Sequence, residues 1–157
     1  MNAAAAPRPS LVTLSLRSNY GLGDEGAEVL AGFLRSDAGR ALRFLDASAC
    51  GVGTAGGLAI AKALLPLPAA EAAVDHVDGG GPRGLVLALR DNKLDDACAF
   101  AFARVLDDGR RRPGQDGDDG LGREPVLARL DLAGNVAIGD AGYGALVRAG
   151  GGCQIHL

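Results

Sequence analysis

LRFLDASACGVGTAGGLAIAKAL, residues 42 to 64, admits two readings, and the choice between them decides the fold. Its centre, GVGTAG at residues 51 to 56, fits G-x-G-x-x-G, the spacing with which a backbone wraps a dinucleotide's pyrophosphate between a strand and a helix. The strand-like half argues otherwise. Asp46 and Ser48 alternate with Leu45 and Ala47, so one face meets water. A nucleotide-binding doubly wound sheet is covered on both faces, and its strands read as continuous apolar runs. An acidic residue does follow about twenty positions on, Glu71, but in a Pro- and Ala-rich stretch. GLGDEG, residues 21 to 26, has the same glycine spacing, and the corresponding turn NKLDDAC has no glycine at all. A phosphate loop therefore cannot be what these turns share.

What they share is a repeat. LVTLSLRSNYGLGDEGAEVLAGFL (11 to 34), the opening stretch (42 to 64), LVLALRDNKLDDACAFAFARVL (85 to 106) and LARLDLAGNVAIGDAGYGALV (127 to 147) align in columns. Leu14, Leu45, Leu87 and Leu130 stand in one, and Leu16, Ala47, Leu89 and Leu132 two residues on. This is strand alternation with one buried face. Asn19, Cys50, Asn92 and Asn135 follow. An amide there both donates and accepts, so it can satisfy backbone groups where the chain leaves the strand. Leu22, Val52, Leu94 and Ile138 come next, each two residues before Asp24, Thr54, Asp96 and Asp140. Those four have the chemistry of helix N-caps. Leu30, Ile60, Phe102 and Leu146 then mark an apolar helix face, and Gly26, Gly56 and Gly142 permit close packing at the helix start.

These columns resemble the leucine-rich repeat family in its long, ribonuclease-inhibitor-like form, L-x-x-L-x-L-x-x-N-x-L-G-D-x-G-A, as in the repeat regions of NOD-like receptors and the Ran GTPase-activating protein. The resemblance runs over residues 11 to 150. Cys50 and Ala47 depart from it in the second unit, Gly84 replaces the first Leu of the third, and the first and last units carry one extra residue after Asn. The resemblance implies an α/β leucine-rich-repeat solenoid, a right-handed βα superhelix with parallel strands on a concave face and helices on a convex face.

The expected units are 11–41, 42–84, 85–126 and 127–152, with a final strand at 153–157 after a disordered segment 1–10. Asn-column spacings of 31, 42 and 43 positions exceed the roughly 29 residues of such repeats, so 66–84 and 108–125 read as inserted loops on one rim. Arg110, Arg111 and Arg112 with Asp116, Asp118 and Asp119 read as solvated charge there, because DGDDGLGRE lacks calcium-loop spacing. Bare strand edges at both ends suggest a piece of a longer array or end-to-end association.

Composition narrows the function. Hydrophobic residues at 48% with aromatics at 4% predict an aliphatic core in a folding chain. Net charge −3 disfavours nucleic acid as partner. Three cysteines, Cys50, Cys98 and Cys153, form no disulfide framework and no C-x-x-C metal pair, which points to a reducing, cytoplasmic setting without metal or cofactor. No segment has the length of a membrane span. His76 in an insertion and His156 near the end offer no nucleophile–base pair, so no catalytic residue is assigned and the protein reads as a non-enzyme. Cys50 and Cys98 read as small buried residues.

Function then falls to the outward strand columns: Thr13, Phe44, Val86 and Arg129; Ser15, Asp46, Ala88 and Asp131; Arg17, Ser48, Arg90 and Ala133. The expectation is a protein partner on this face, with Phe44 as anchor, Arg17, Arg90, Arg129, Asp46 and Asp131 as charged contacts, and Thr13, Ser15 and Ser48 between them. A GTPase activator of the Ran-directed type is the alternative the resemblance brings, and a nucleotide-binding enzyme using Gly51 to Gly56 a distant third.

Overall fold

A computed structural model describes residues 11–65, 84–108, 126–150 and 152–157. The N-terminal segment 1–10, His76 and nearly all of both insertions lie outside the described residues. Five short strands, β1 (Thr13–Ser15), β2 (Phe44–Asp46), β3 (Leu85–Ala88), β4 (Leu127–Asp131) and β5 (Gln154–His156), alternate with four helices, α1 (Gly23–Arg35), α2 (Thr54–Leu64), α3 (Asp96–Asp108) and α4 (Asp140–Ala149). The strands form one parallel sheet in sequence order. Leu14, Leu45, Leu87, Leu130 and Ile155 stand in register across it. Each helix returns the chain to the next strand position, giving the α/β repeat solenoid that the columns predict.

Every second strand residue faces the helices. Leu45, Leu87 and Leu130 are fully buried, as are Ala47, Leu89 and Leu132 beyond them. Ile60, Phe102 and Leu146 meet them from the helices, with Leu30 nearly as buried, and one continuous core results. Leu14 and Leu16, on the outermost strand, are only half-buried. Burying such an aliphatic side chain contributes about 1.5–3 kcal/mol, so the interior units carry most of the stability.

The turns leaving the strands are built around the Asn column; Cys50, Asn92 and Asn135 each serve two units, and Asn19, in the first, donates to Leu16 O of its own. Asn92 Nδ2 donates to Ala47 O of the preceding unit at 2.9 Å, and Asn135 Nδ2 to Leu89 O at 2.9 Å. Cys50 fills the same place with its thiol, Sγ donating to Leu16 O at 3.0 Å. The accepting side differs. Asn92 Oδ1 takes the amides of Cys50 and Val52, both at 3.0 Å, and Asn135 Oδ1 takes that of Leu94 at 3.1 Å. The first and fourth turns are one residue longer and close on themselves, Leu22 N to Asn19 O at 2.9 Å and Ile138 N to Asn135 O at 3.0 Å. A thiol therefore suffices at position 50: the turn before it needs a donor alongside and no acceptor.

One residue before this column the chain turns left-handed in every unit: Ser18 (φ 64°), Ala49 (φ 54°), Asp91 (φ 53°) and Gly134 (φ 78°). Only the last is glycine. Without a polar side chain to compensate, Ala49 holds this conformation at a cost of about 1–2 kcal/mol. Each neighbouring unit supplies the carbonyl that locks the turn, Ser18 N to Ser48 O, Ala49 N to Arg90 O and Asp91 N to Ala133 O.

The helix starts correct the sequence reading. Asp24, Thr54, Asp96 and Asp140 lie inside the first helical turn, and Leu22, Gly53 and Gly139 occupy the cap positions of α1, α2 and α4 without a side-chain cap bond. The helices begin a residue or two earlier than the columns suggest, which aims these side chains at the neighbouring unit. Asp24 Oδ1 accepts from Gly53 N at 2.6 Å and Gly56 N at 3.0 Å, so it caps α2 from the unit before. Asp96 Oδ1 does the same for Gly139 N at 2.7 Å. Thr54 donates to Asp95 Oδ2 at 2.8 Å, and Asp95 Oδ1 accepts from Cys98 N at 3.2 Å, capping α3 locally. Asp140 is exposed, on the side where no following helix stands among the described residues. Gly56 and Gly142 are needed for this stacking. A Cβ on Gly56 would come within 2.7 Å of Ala27 Cβ, and one on Gly142 within 2.9 Å of Ala99 Cβ.

Candidate functional site

The glycine turn at 51 to 56 is occupied from within. A pyrophosphate would need the amides of Gly53 and Gly56 at the start of α2. Both donate to the Asp24 carboxylate, whose charge would also repel a phosphate. Gly51 has φ +73°, and a Cβ there would lie 2.7 Å from Tyr20 O, so its glycine is explained by the stacked turn.

The open face of the sheet remains. Parallel register aligns Thr13, Phe44, Val86, Arg129 and Gln154 in one row, and Ser15, Asp46, Ala88, Asp131 and His156 in the next. Gln154 and His156 extend both rows onto the last strand; strand alternation in CQIHL was the signal that could have placed them there. Thr13, Ser15, Arg17, Arg90, Gln154 and His156 are exposed, and Phe44, Val86, Asp46 and Arg129 are half-buried.

Two residues expected as contacts are withdrawn from solvent. Ser48 is 2% exposed, its hydroxyl accepting from Arg90 N at 3.3 Å. Asp131 is 8% exposed. Its Oδ1 accepts from Ala133 N at 3.2 Å and lies 3.9 Å from Arg90 Nε. Asp46 makes the matching turn, Oδ1 accepting from Ser48 N at 2.9 Å. The two aspartates thus brace the strand ends, because a short carboxylate can hydrogen-bond the backbone two residues on.

The basic groups are freer. Arg17 has no ion pair among the described residues. Arg129 Nη2 donates to His156 Nδ1 at 3.3 Å. A guanidinium cannot accept, so this ring nitrogen carries no proton in the contact. The face therefore presents Phe44 and Val86 side by side with Arg129 next to them in the same row, while Arg17 and Arg90 lie four residues further along β1 and β3, past the strand ends.

The cysteines stand apart from this face. Cys50 and Cys98 are fully buried, and burial raises both thiols, Cys98 to about 11. Burial pushes Cys153 to about 11 as well. A protonated thiol is a poor nucleophile and ligand, so these residues act as packing and hydrogen-bonding groups.

The leucine-rich-repeat family model matches the chain at two places, residues 9–31 and 125–147. No curated protein matches it. The matched stretches are the first and fourth strand–turn–helix units, the two with the longer turn. With the five-stranded parallel sheet, they support a leucine-rich repeat protein. Such domains generally mediate protein–protein interaction. Among the described residues no helix is long and apolar enough to cross a membrane.

Proposed function

We propose that the chain is a non-enzymatic interaction module that binds a protein partner on the open strand face. The observation that carries this reading is the row Thr13, Phe44, Val86 and Arg129, held in register with an aromatic and a β-branched side chain half-exposed at its centre. Stacked units make extended surfaces of this kind, and aromatic and Arg side chains are favoured as interface anchors. Phe44, Arg17, Arg90 and Arg129 are the contacts, with Thr13, Ser15 and Asp46 around them. Ser48 and Asp131 hold the face in shape from beneath. The full α-helix in each of the four units supports the long, ribonuclease-inhibitor-like form of the repeat.

The test is proximity labelling in the source cells, followed by cross-linking of the captured partner to the purified chain. The wild type is run beside Phe44→Ala/Arg129→Ala and beside Val147→Ser, a change at an exposed position of α4. Cross-links on β2 to β4, lost in the first variant and kept in the second, are the expected result. Partners indifferent to Phe44→Ala/Arg129→Ala would overturn it. Phosphate release from a panel of small GTPases, raised by the chain, would replace the scaffold reading with that of a GTPase activator.

A further inference from the structure

The chain carries a net charge of −3, yet its strand face carries the opposite sign. Arg17, Arg90 and Arg129 lie on it, and its two carboxylates are committed: Asp46 to Ser48 N, Asp131 to Ala133 N and the Arg90 side chain. Asp131 is offset by Arg90, and three guanidiniums against two carboxylates leave the face with an excess of positive charge. Phe44 and Val86 are directly paired across β2 and β3, and Arg129 stands next in the same row on β4.

Neighbouring strands lie about 4.8 Å apart, so the midpoint between Phe44 and Val86 is about 7 Å from the Arg129 position. An extended chain advances about 3.3 Å per residue, and its i and i+2 side chains point the same way. A peptide crossing the strands therefore meets both features with two side chains of one face, two residues apart.

We propose that the strand face takes an extended acidic protein segment, an apolar side chain seated on Phe44 and Val86 and a carboxylate two residues away on Arg129. The inference rests on the interaction reading above and adds the partner's chemistry. Arg129 is the cation of this row; Arg17 and Arg90 stand four residues further along their strands, and Arg90 is paired there with Asp131. Complementary charge of this kind steers encounter and fixes register. A nucleic acid fits less well. Of aromatic side chains the rows hold only Phe44, half-buried, and His156 on the last strand, three strands apart, where a strand of bases needs a series of adjacent stacking platforms. The acidic remainder of the chain would also repel its backbone.

The test is panning of a random twelve-residue peptide library on the immobilised full chain. Fluorescence anisotropy follows with the enriched peptide, its Lys-for-acid twin and a twelve-nucleotide oligo-dT. The expected peptides carry Asp or Glu two residues from Leu, Ile, Met or Phe. Their binding falls about tenfold or more with Arg129→Glu, and also weakens with the milder Arg129→Gln if the reversal disturbs the fold by circular dichroism. Arg148→Glu on α4 changes net charge equally and leaves binding unchanged. Equal loss with Arg148→Glu, equal binding of the Lys twin, or tighter binding of oligo-dT that Arg129→Glu abolishes would each overturn the proposal. Neutral or basic peptides that need Phe44 would overturn it and leave the interaction reading standing. A library with no binder also overturns it, and the cross-linking experiment then judges the interaction reading separately.

Discussion

Replacing Asn92 by Cys separates the two halves of the turn ladder. In the native turn, Asn92 Oδ1 accepts from Cys50 N and Val52 N, both at 3.0 Å, and Nδ2 donates to Ala47 O and Leu89 O. A thiol can keep the contact to Ala47 O, as Cys50 does one unit earlier with Leu16 O. It cannot accept usefully from two amides. Both belong to buried residues, and Cys50 and Val52 are fully buried. A buried donor without a partner costs about 1–3 kcal/mol, so Asn92→Cys is expected to lose about 2–5 kcal/mol. Cys50→Ala removes one weak sulfur hydrogen bond and a small buried atom, and is expected to lose about 1 kcal/mol. Against a domain stability of about 5–15 kcal/mol these effects are separable by urea unfolding followed by far-ultraviolet circular dichroism. Native-state hydrogen exchange adds a local readout, since the amides of Cys50 and Val52 lose protection first. If Asn92→Cys costs no more than Cys50→Ala, the acceptor role is wrong, and so is the link between turn length and the Asn column.

Three further outcomes follow from the packing. Asp24→Ala removes the carboxylate that caps α2 from the neighbouring unit and is expected to lower stability by about 1–2 kcal/mol, whereas exposed Asp140→Ala changes it little; thermal melts of both variants decide this. Ala49→Gly relieves a left-handed alanine and is expected to gain about 1 kcal/mol, while Gly56→Ala drives a methyl against Ala27 and loses about 1–3 kcal/mol; paired urea titrations measure both. Cys98 and Cys153 are raised to about 11 in the folded chain. The unfolded thiols ionise first as pH rises, so the folded state holds more protons between about pH 8.5 and 11 and stability falls across that window. Melting temperature should decline there for the wild type and less for Cys98→Ser/Cys153→Ser, and in the wild type at pH 8 a disulfide reagent should reach Cys98 only at the rate of unfolding.

The strand register at Leu14, Leu45, Leu87 and Leu130 was legible in the sequence, because they mark the same buried position and a one-residue slip would have turned every one of them to water; the shift between Leu85 and Val86, which sets Leu85 against Leu127 where the columns placed Gly84, was not. The Asn column was legible for a similar reason: an amide recurring at the end of a buried strand has few other uses. The helix caps were not. Asp24 serves Gly53, twenty-nine residues away, and a pattern aligned unit by unit assigns each carboxylate to its own helix. The left-handed turns also escaped notice, since Ser18, Ala49 and Asp91 hide a backbone conformation that only Gly134 advertises. On the strand face, alternation assigned Ser48 and Asp131 to outward columns, but both are buried, in contact with the Arg90 backbone and side chain.

The mixture of long and short turns bears on how such a chain can be rearranged by duplication or recombination. The residue at the head of each unit is matched to the turn of the unit before it: thiol after a self-closing turn, amide after an open one. Units two and three are therefore not interchangeable parts. Exchanging them would set Asn92 beside a turn that does not need its oxygen and Cys50 beside one that does. A crossover keeps the bonding intact only when a turn travels with the head of the unit that follows it, so the heritable module is offset from the visible repeat by half a unit.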